Sequence, residues 1–163
     1  NYRSELGILY LNDFNRKAMQ KIFAENDLEF TELFQCDVYV YLSNHHPLAG
    51  RDKITFEELG DYPCLSFEQG DKNSFYFAEE VFSTLQYKQM IKADDRATML
   101  NLMVGMNGYT LCSGIICEEL NGDGYSAIPL ETDEKMTIGY IKRKGMHISH
   151  IGKSYIEILR GYA

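Results

Sequence analysis

The stretch Val38 to Phe67, VYVYLSNHHPLAGRDKITFEELGDYPCLSF, constrains the fold more than any other part of this chain. Val38, Val40 and Leu42 alternate with Tyr39, Tyr41 and Ser43, the period of a strand with two unlike faces. Pro47 and Gly50 bracket a turn. Thr55-Phe56-Glu57-Glu58 has the spacing of a capping box, in which a Thr hydroxyl and a Glu carboxylate satisfy each other's backbone amides at a helix start. Gly60 and Pro63 end that helix, and Cys64 to Phe67 begins another strand. The segment therefore reads strand, turn, short helix, strand.

The same alternation runs along the rest of the chain. Glu5 to Leu11 is an apolar run of strand length, of the kind a parallel strand covered on both faces would have. Phe14, Ala18, Met19, Ile22 and Phe23 fall at helical spacing between Asp13 and Glu25, with Asn12 or Asp13 available as cap. Strands follow at Leu28 to Phe34 and Val38 to Leu42. Beyond Phe67, a polar loop Glu68 to Asn73 leads into a helix from Ser74 to about Leu85, with Phe75, Ala78, Phe82 and Leu85 on one side. Met90 to Ala93 is a short strand. Met99, Leu100, Leu102, Met103 and Met106 then mark the buried stripe of a helix that Asp94 or Asp95 caps. Tyr109 to Cys112 is a strand, and a short helical stretch runs from Ser113 to near Leu120. Tyr125 to Leu130 and Met136 to Arg143 are strands. Ser149 caps a last helix bearing Ile151, Tyr155, Ile158, Leu159 and Tyr162. Alternating strands and helices imply the α/β class, with parallel sheet covered by helices and ligands held beyond the strands' carboxyl ends.

Bulk properties exclude several function classes. At 163 residues the chain makes one ordinary domain or two small lobes, and 45% hydrophobic with 25% charged residues is a globular balance. No apolar run approaches the roughly 20 residues of a membrane span, so no membrane partner is expected. The net charge of -8, with scattered Lys and Arg, lacks the basic stripe that phosphate backbones require, so the chain should not grip DNA by itself. Four cysteines, at 36, 64, 112 and 117, follow neither a CxxC nor a zinc spacing and read as reduced core residues of a cytoplasmic protein. Cys112 with Cys117 is the nearest candidate redox pair. The chain opens at Asn1 without Met, which suggests a fragment.

The order of these elements and three motifs resemble the effector-binding domain of LysR-type transcriptional regulators. The first motif is His46-Pro47-Leu48-Ala49, with Ile54, Leu59 and Tyr62-Pro63-Cys64-Leu65 following it. The second is Leu6-Gly7-Ile8, similar to the family's "lDlgI" strand with Glu5-Leu6 in place of the usual pair. The third is Leu102 to Gly108, similar to its "LVaaGlG" helix end, here closing on Met106-Asn107-Gly108 and leading to Leu111-Cys112-Ser113 where the family has "lLP". The resemblance implies a two-lobed periplasmic-binding-protein type II fold. Residues 1–62 and 137–163 would form subdomain I, incomplete at the N-terminus, and 63–136 subdomain II. It also implies a small metabolite in the interlobe cleft, a homodimer or higher homo-oligomer, and DNA contact only through an absent helix-turn-helix domain. A solute-binding protein of a transport system is the alternative with the same fold. A small α/β enzyme is a further one.

Candidate ligand-binding residues sit where strands end. Ser66, Phe67, Glu68, Gln69 and Gly70 open the loop to Ser74, a seat for a carboxylate or an ordinary connection. Asp95, Arg96, Ala97 and Thr98 open a helix, where Arg96 would pair with an acidic effector or neutralise Asp94 and Asp95. Asn12 and Asp13 face the same crevice or cap the first helix. Cys112 and Ser113 close the list, Ser113 as a hydroxyl donor without the elbow of a nucleophile. The adjacent His45 and His46 point to opposite faces of an extended segment and lack further ligands for a metal. Glu57-Glu58, Glu79-Glu80 and Glu118-Glu119 are solvated helix faces. No catalytic residue and no cofactor are expected.

Overall fold

The computed structural model describes residues 4–68, 81–116 and 121–162. The chain folds into two compact units. Unit 1 comprises Asn1–Cys36 and Glu134–Ala163, and unit 2 comprises Asp37–Asp133. The crossing thus falls at Cys36 and Asp37 rather than at 62 and 63, because Val38 and the strand after it belong to the larger sheet. The Cys36 thiol donates to the Met136 carbonyl within unit 1 at 3.8 Å. Two residues on, the Val38 carbonyl accepts from the Leu130 amide of unit 2 at 2.9 Å.

Unit 1 contains β1 (Gly7–Leu11), α1 (Arg16–Glu25), β2 (Leu28–Asp37) except its last residue, β8 (Lys135–Arg143) and α4 (His150–Arg160). Its three strands lie in the order β1-β8-β2. β1 runs antiparallel to β8, from Gly7 opposite Ile141 to Leu11 opposite Thr137. Leu11, Met19 and Phe23 form its core cluster, and the rings of Phe23 and Phe30 stack at 6.1 Å. α1 starts at Arg16, three residues later than the spacing suggests, because Asn12 and Asn15 close a turn first. The Asn12 side chain accepts from the Asn15 amide at 3.0 Å, and the Asn15 side chain accepts from the Asn12 amide at 2.9 Å. Phe14, outside the helix, is exposed.

Unit 2 contains β3 (Tyr39–Ser43), α2 (Phe56–Leu59), β4 (Cys64–Phe67), β5 (Met90–Ala93), α3 (Arg96–Gly105), β6 (Tyr109–Cys112) and β7 (Tyr125–Pro129). Its strands lie in the order β5-β4-β6-β3-β7. β4 is parallel to β5 and β6, whereas β3 is antiparallel to β6 and β7. Both sheets include antiparallel pairs, and the parallel sheet expected from alternation alone is realised at β5-β4-β6. Periodicity identifies strands but not their partners, and β1 meets β8 across most of the chain. α3 packs Met99 and Met103 onto Tyr41, Leu65 and Ala93 to make the unit's core.

The capping box stands as the sequence reads. The Thr55 hydroxyl accepts from the Glu58 amide at 3.2 Å, and the Glu58 carboxylate accepts from the Thr55 amide at 2.9 Å. In the helix expected from Ser74, residues 74–80 lie outside the described residues. Residues 81–84 form a turn in which Phe82 adopts φ 61°. Of the helical stretch expected to end near Leu120, residues 117–120 are likewise outside. Cys36, Cys64 and Cys112 form no disulfide among the described residues, and Cys117 is not described. Among the described residues no helix is long and apolar enough to cross a membrane.

Candidate functional site

Because β4, β5 and β6 are parallel neighbours, their carboxyl ends share one edge of the unit 2 sheet. That edge collects Ser66 and Phe67 at the end of β4 with Glu68 beyond it, Asp95 to Thr98 after β5, and Cys112 at the end of β6 with Ser113 beyond it. β3 runs the other way, so its first residue, Tyr39, sits there too, opposite Cys112 and Pro129. Nine of the residues expected to contact ligand are thus brought to one edge by strand direction alone. Gln69 and Gly70 lie outside the described residues. Asn12 and Asp13 follow the carboxyl end of β1 in unit 1.

The chemistry at this edge differs in detail from the expectation. The amides at the start of α3 are occupied by the chain itself. The Asp95 carboxylate accepts from the Thr98 amide at 2.8 Å, and bonds from Thr98 and then Ala97 hold its pKa below the usual carboxylate value. Asp95 is therefore a helix cap, and an anion seated at those amides would have to displace it. Arg96 turns elsewhere: its guanidinium donates to the Asn121 side-chain oxygen at 2.5 Å, so neutralising its two acidic neighbours is not what orients it. Glu68 pairs with Lys92 at 3.4 Å, both well exposed, and its amide donates to the Ala93 carbonyl at 2.9 Å. The Ser113 hydroxyl accepts weakly from the Ile115 amide at 3.4 Å, which leaves its proton for another acceptor.

Beside these lies a group that sequence reading did not single out. Tyr41 is 7% exposed, and its hydroxyl has no hydrogen-bond partner among the described residues. Burial raises its pKa, while Arg96 partly opposes that shift. Its ring lies 5.5 Å from that of Tyr125. In the sequence Tyr41 belongs to the polar-looking face of its strand, and only the packing of α3 across that face reveals a buried phenol. In unit 1, Arg16 is a second such residue. Its guanidinium donates to the buried Thr137 hydroxyl at 2.9 Å, which puts a cation at the end of β1 beside Asn12.

Glycine makes the β6 end possible. Gly114 has φ 77°, and a Cβ there would lie 2.6 Å from the Tyr39 ring. At the other end of the strand, Asn107 sits at φ 51°, a conformation its short polar side chain tolerates, and a Cβ on Gly108 would lie 2.9 Å from Leu65. His46 links this bend to the turn after β3. Its Nδ1 accepts from the Leu48 amide at 3.0 Å, so Nε2 carries the proton and donates to the Asn107 carbonyl at 2.9 Å. Burial pushes the His46 pKa down. The imidazole is a structural tie and has no nitrogen left for a metal.

The family model described as the LysR substrate binding domain matches residues 5–163. The chain belongs to this family, and its fold is of the periplasmic-binding-protein type II. A malolactic fermentation system transcriptional activator of Lactococcus lactis subsp. lactis is 27% identical over 137 residues, which is 82% of this chain and 46% of that protein. Among solved structures, HinK, a LysR family transcriptional regulator from Pseudomonas aeruginosa, has a TM-score of 0.62 at 16% identity, over 98% of this chain and 53% of that one. The effector binding domain of QuiR in complex with shikimate has a TM-score of 0.58 at 20% identity, over 97% of this chain and 71% of that one. The chain spans about half the length of the curated relative it matches.

Proposed function

We propose that this chain is the effector-sensing part of a LysR-type transcription regulator of the cytoplasm, and that it binds a small metabolite at the carboxyl edge of the unit 2 sheet. The observation that carries the reading is the convergence of three strand ends on that edge, with the Ser113 hydroxyl, the Arg96 guanidinium and the buried Tyr41 hydroxyl all beside it. A buried donor without a partner costs roughly 1–3 kcal/mol, which an accepting ligand would offset. Ser66, Phe67, Glu68, Gln69, Gly70, Ala97, Thr98 and Cys112 are the proposed neighbours of the ligand, with Asp95 positioning the start of α3. Asn12 and Asp13 are the proposed effector-facing positions of unit 1.

An acidic effector suits this site best. Arg96 supplies the charge, and the ligands named for two structural neighbours, shikimate for QuiR and benzoate for BenM, are both carboxylates. Sensing requires that the effector prefer one arrangement of the regulator over another, since equal affinity for both shifts nothing. That arrangement is proposed to be a homodimer or higher homo-oligomer, with DNA contacted through a separate helix-turn-helix domain, because a chain of net charge -8 offers phosphates no basic stripe. No chemistry is proposed for the site. Calorimetric titration with small carboxylates tests the reading: Arg96→Ala should weaken binding by about fivefold or more while the circular dichroism spectrum stays unchanged. Unchanged affinity would remove Arg96 from the site.

A further inference from the structure

At the opposite edge of the same sheet lies a cavity of about 460 Å³. Its lining residues precede the strands rather than follow them: Tyr62 stands just before β4, Lys88 just before β5, and Tyr109 begins β6. Parallel strands of four residues, rising about 3.3 Å per residue, separate this edge from Ser113 by roughly 10 Å or more. The cavity is thus distinct from the site proposed above. Its volume falls within the range of small-molecule sites.

Its walls are aromatic and held in place. Phe56, Tyr62, Phe82, Tyr87 and Tyr109 contribute rings. Phe82 meets Phe56 edge to face, with centroids 5.0 Å apart and planes at 88°. Phe82 also has φ 61°, a left-handed conformation costly for a bulky residue, and the Tyr87 hydroxyl pins that turn by donating to the Phe82 carbonyl at 3.0 Å. The Tyr62 ring rests on His46 at 4.4 Å, and His46 is itself tied to Asn107. Leu85 and Gln86, on the same stretch of lining, are exposed.

Among the described lining residues, Lys88 is the one with a charged side chain, and its Nζ lies only 3.3 Å from where a Cβ on Gly60 would stand. No ion pair neutralises it among the described residues. Burial raises the Tyr109 pKa, so this phenol brings no negative charge to the wall. Flat apolar faces with one ammonium at the rim suit a flat aromatic acid, whose ring stacks while its anion pairs.

We propose that this cavity is a second ligand site, which takes a one- or two-ring aromatic carboxylate with its ring against Phe56, Tyr62 and Phe82 and its anion at Lys88. Titrating the whole ¹⁵N-labelled chain with sodium 2-naphthoate, followed by amide shifts, tests it. Saturable shifts are expected at Gly60, Phe82 and Lys88. Lys88→Gln should weaken them about tenfold, Lys88→Arg should restore affinity to within about twofold, and neutral 2-naphthalenemethanol should bind about tenfold more weakly than the acid. Leu85→Trp, placed at the rim, should fill the cavity and abolish the shifts. If that variant fails to fold, the Lys88 pair decides. Absence of saturation at these three amides up to about 5 mM, or equal affinity in Lys88→Gln, overturns the proposal. Shifts confined to Thr98 and Ser113 overturn it too, while supporting the strand-end site.

Discussion

α3 and α4 are helices of nearly equal length with apolar residues at helical spacing, yet they end up differently covered. α3 lies on the five-stranded sheet and buries Met103 completely and Met99 to 4% exposure. α4 belongs to the unit with three strands. Its buried positions are Gly152 and Ile156, while Ile151 remains 80% and Ile158 63% exposed. Gly152 lets the helix approach closely, since a Cβ there would meet Ile148 at 2.7 Å. α4 is held at its start by polar contacts: Ser149 accepts from the Gly152 amide at 3.0 Å, and Glu5 bonds both the Ser149 amide and hydroxyl. The lesson is that the arc of apolar residues on a helix states what it can bury, and the width of the neighbouring sheet states what it does bury.

Substitutions at matched positions sharpen this contrast. The largest effect is expected from Met103→Ala, which empties a fully buried site and should lower the stability of unit 2 by about 3 kcal/mol, read as a reduced urea midpoint. An effect under about 1 kcal/mol would mean that α3 is no better seated than α4.

His46→Gln should come next, at about 2 kcal/mol, because it breaks the tie between the turn after β3 and the Asn107 bend inside a buried environment. It carries a pH signature. The folded state depresses the His46 pKa below its usual value near 6.5, so at moderately acidic pH the unfolded chain binds a proton that the folded one refuses. The stability from this residue is full above about pH 6.5 and falls as the pH drops toward the lower folded value. Urea midpoints measured across that window should decline in the parent chain and decline less in His46→Gln. Equal slopes in the two proteins would show that the ring is not held neutral.

The smallest effect belongs to α4. Ile151→Ser and Ile158→Ser should each change the urea midpoint by less than the equivalent of about 0.5 kcal/mol, since little of either side chain leaves water on folding. A cost near that of Met103→Ala would mean that a partner chain covers this face in solution.

Local chemistry was legible in the sequence wherever the interaction closes within a few residues. Thr55 and Glu58 form the capping box their spacing describes, Ser149 and Asp95 cap the helices they precede, and every strand read from alternation exists. Reading failed where two candidates stood close together. Asn12 or Asp13 as the cap of α1 gave way to Asn15, because reciprocal bonds between Asn12 and Asn15 close a turn first. Of the candidate site, the set of strand ends was visible, but the division of labour was not. Asp95 and Arg96 look alike as charged residues at a helix start, yet one is consumed by the backbone and the other turns to Asn121, which lies 25 residues away.

By itself, the sequence determined which segments extend and which coil, the family to which the chain belongs, and the net charge of -8. Those properties follow from side-chain alternation, caps, motifs and net charge, all of them short-range or additive. Strand direction, the edge on which the ends of β4, β5 and β6 gather, the burial of Tyr41 without a hydrogen-bond partner among the described residues and the aromatic slot beside Lys88 were decided only by the tertiary structure. The reason is physical: each depends on which distant strand supplies the free hydrogen-bonding edge, and one-dimensional periodicity carries no information about that choice.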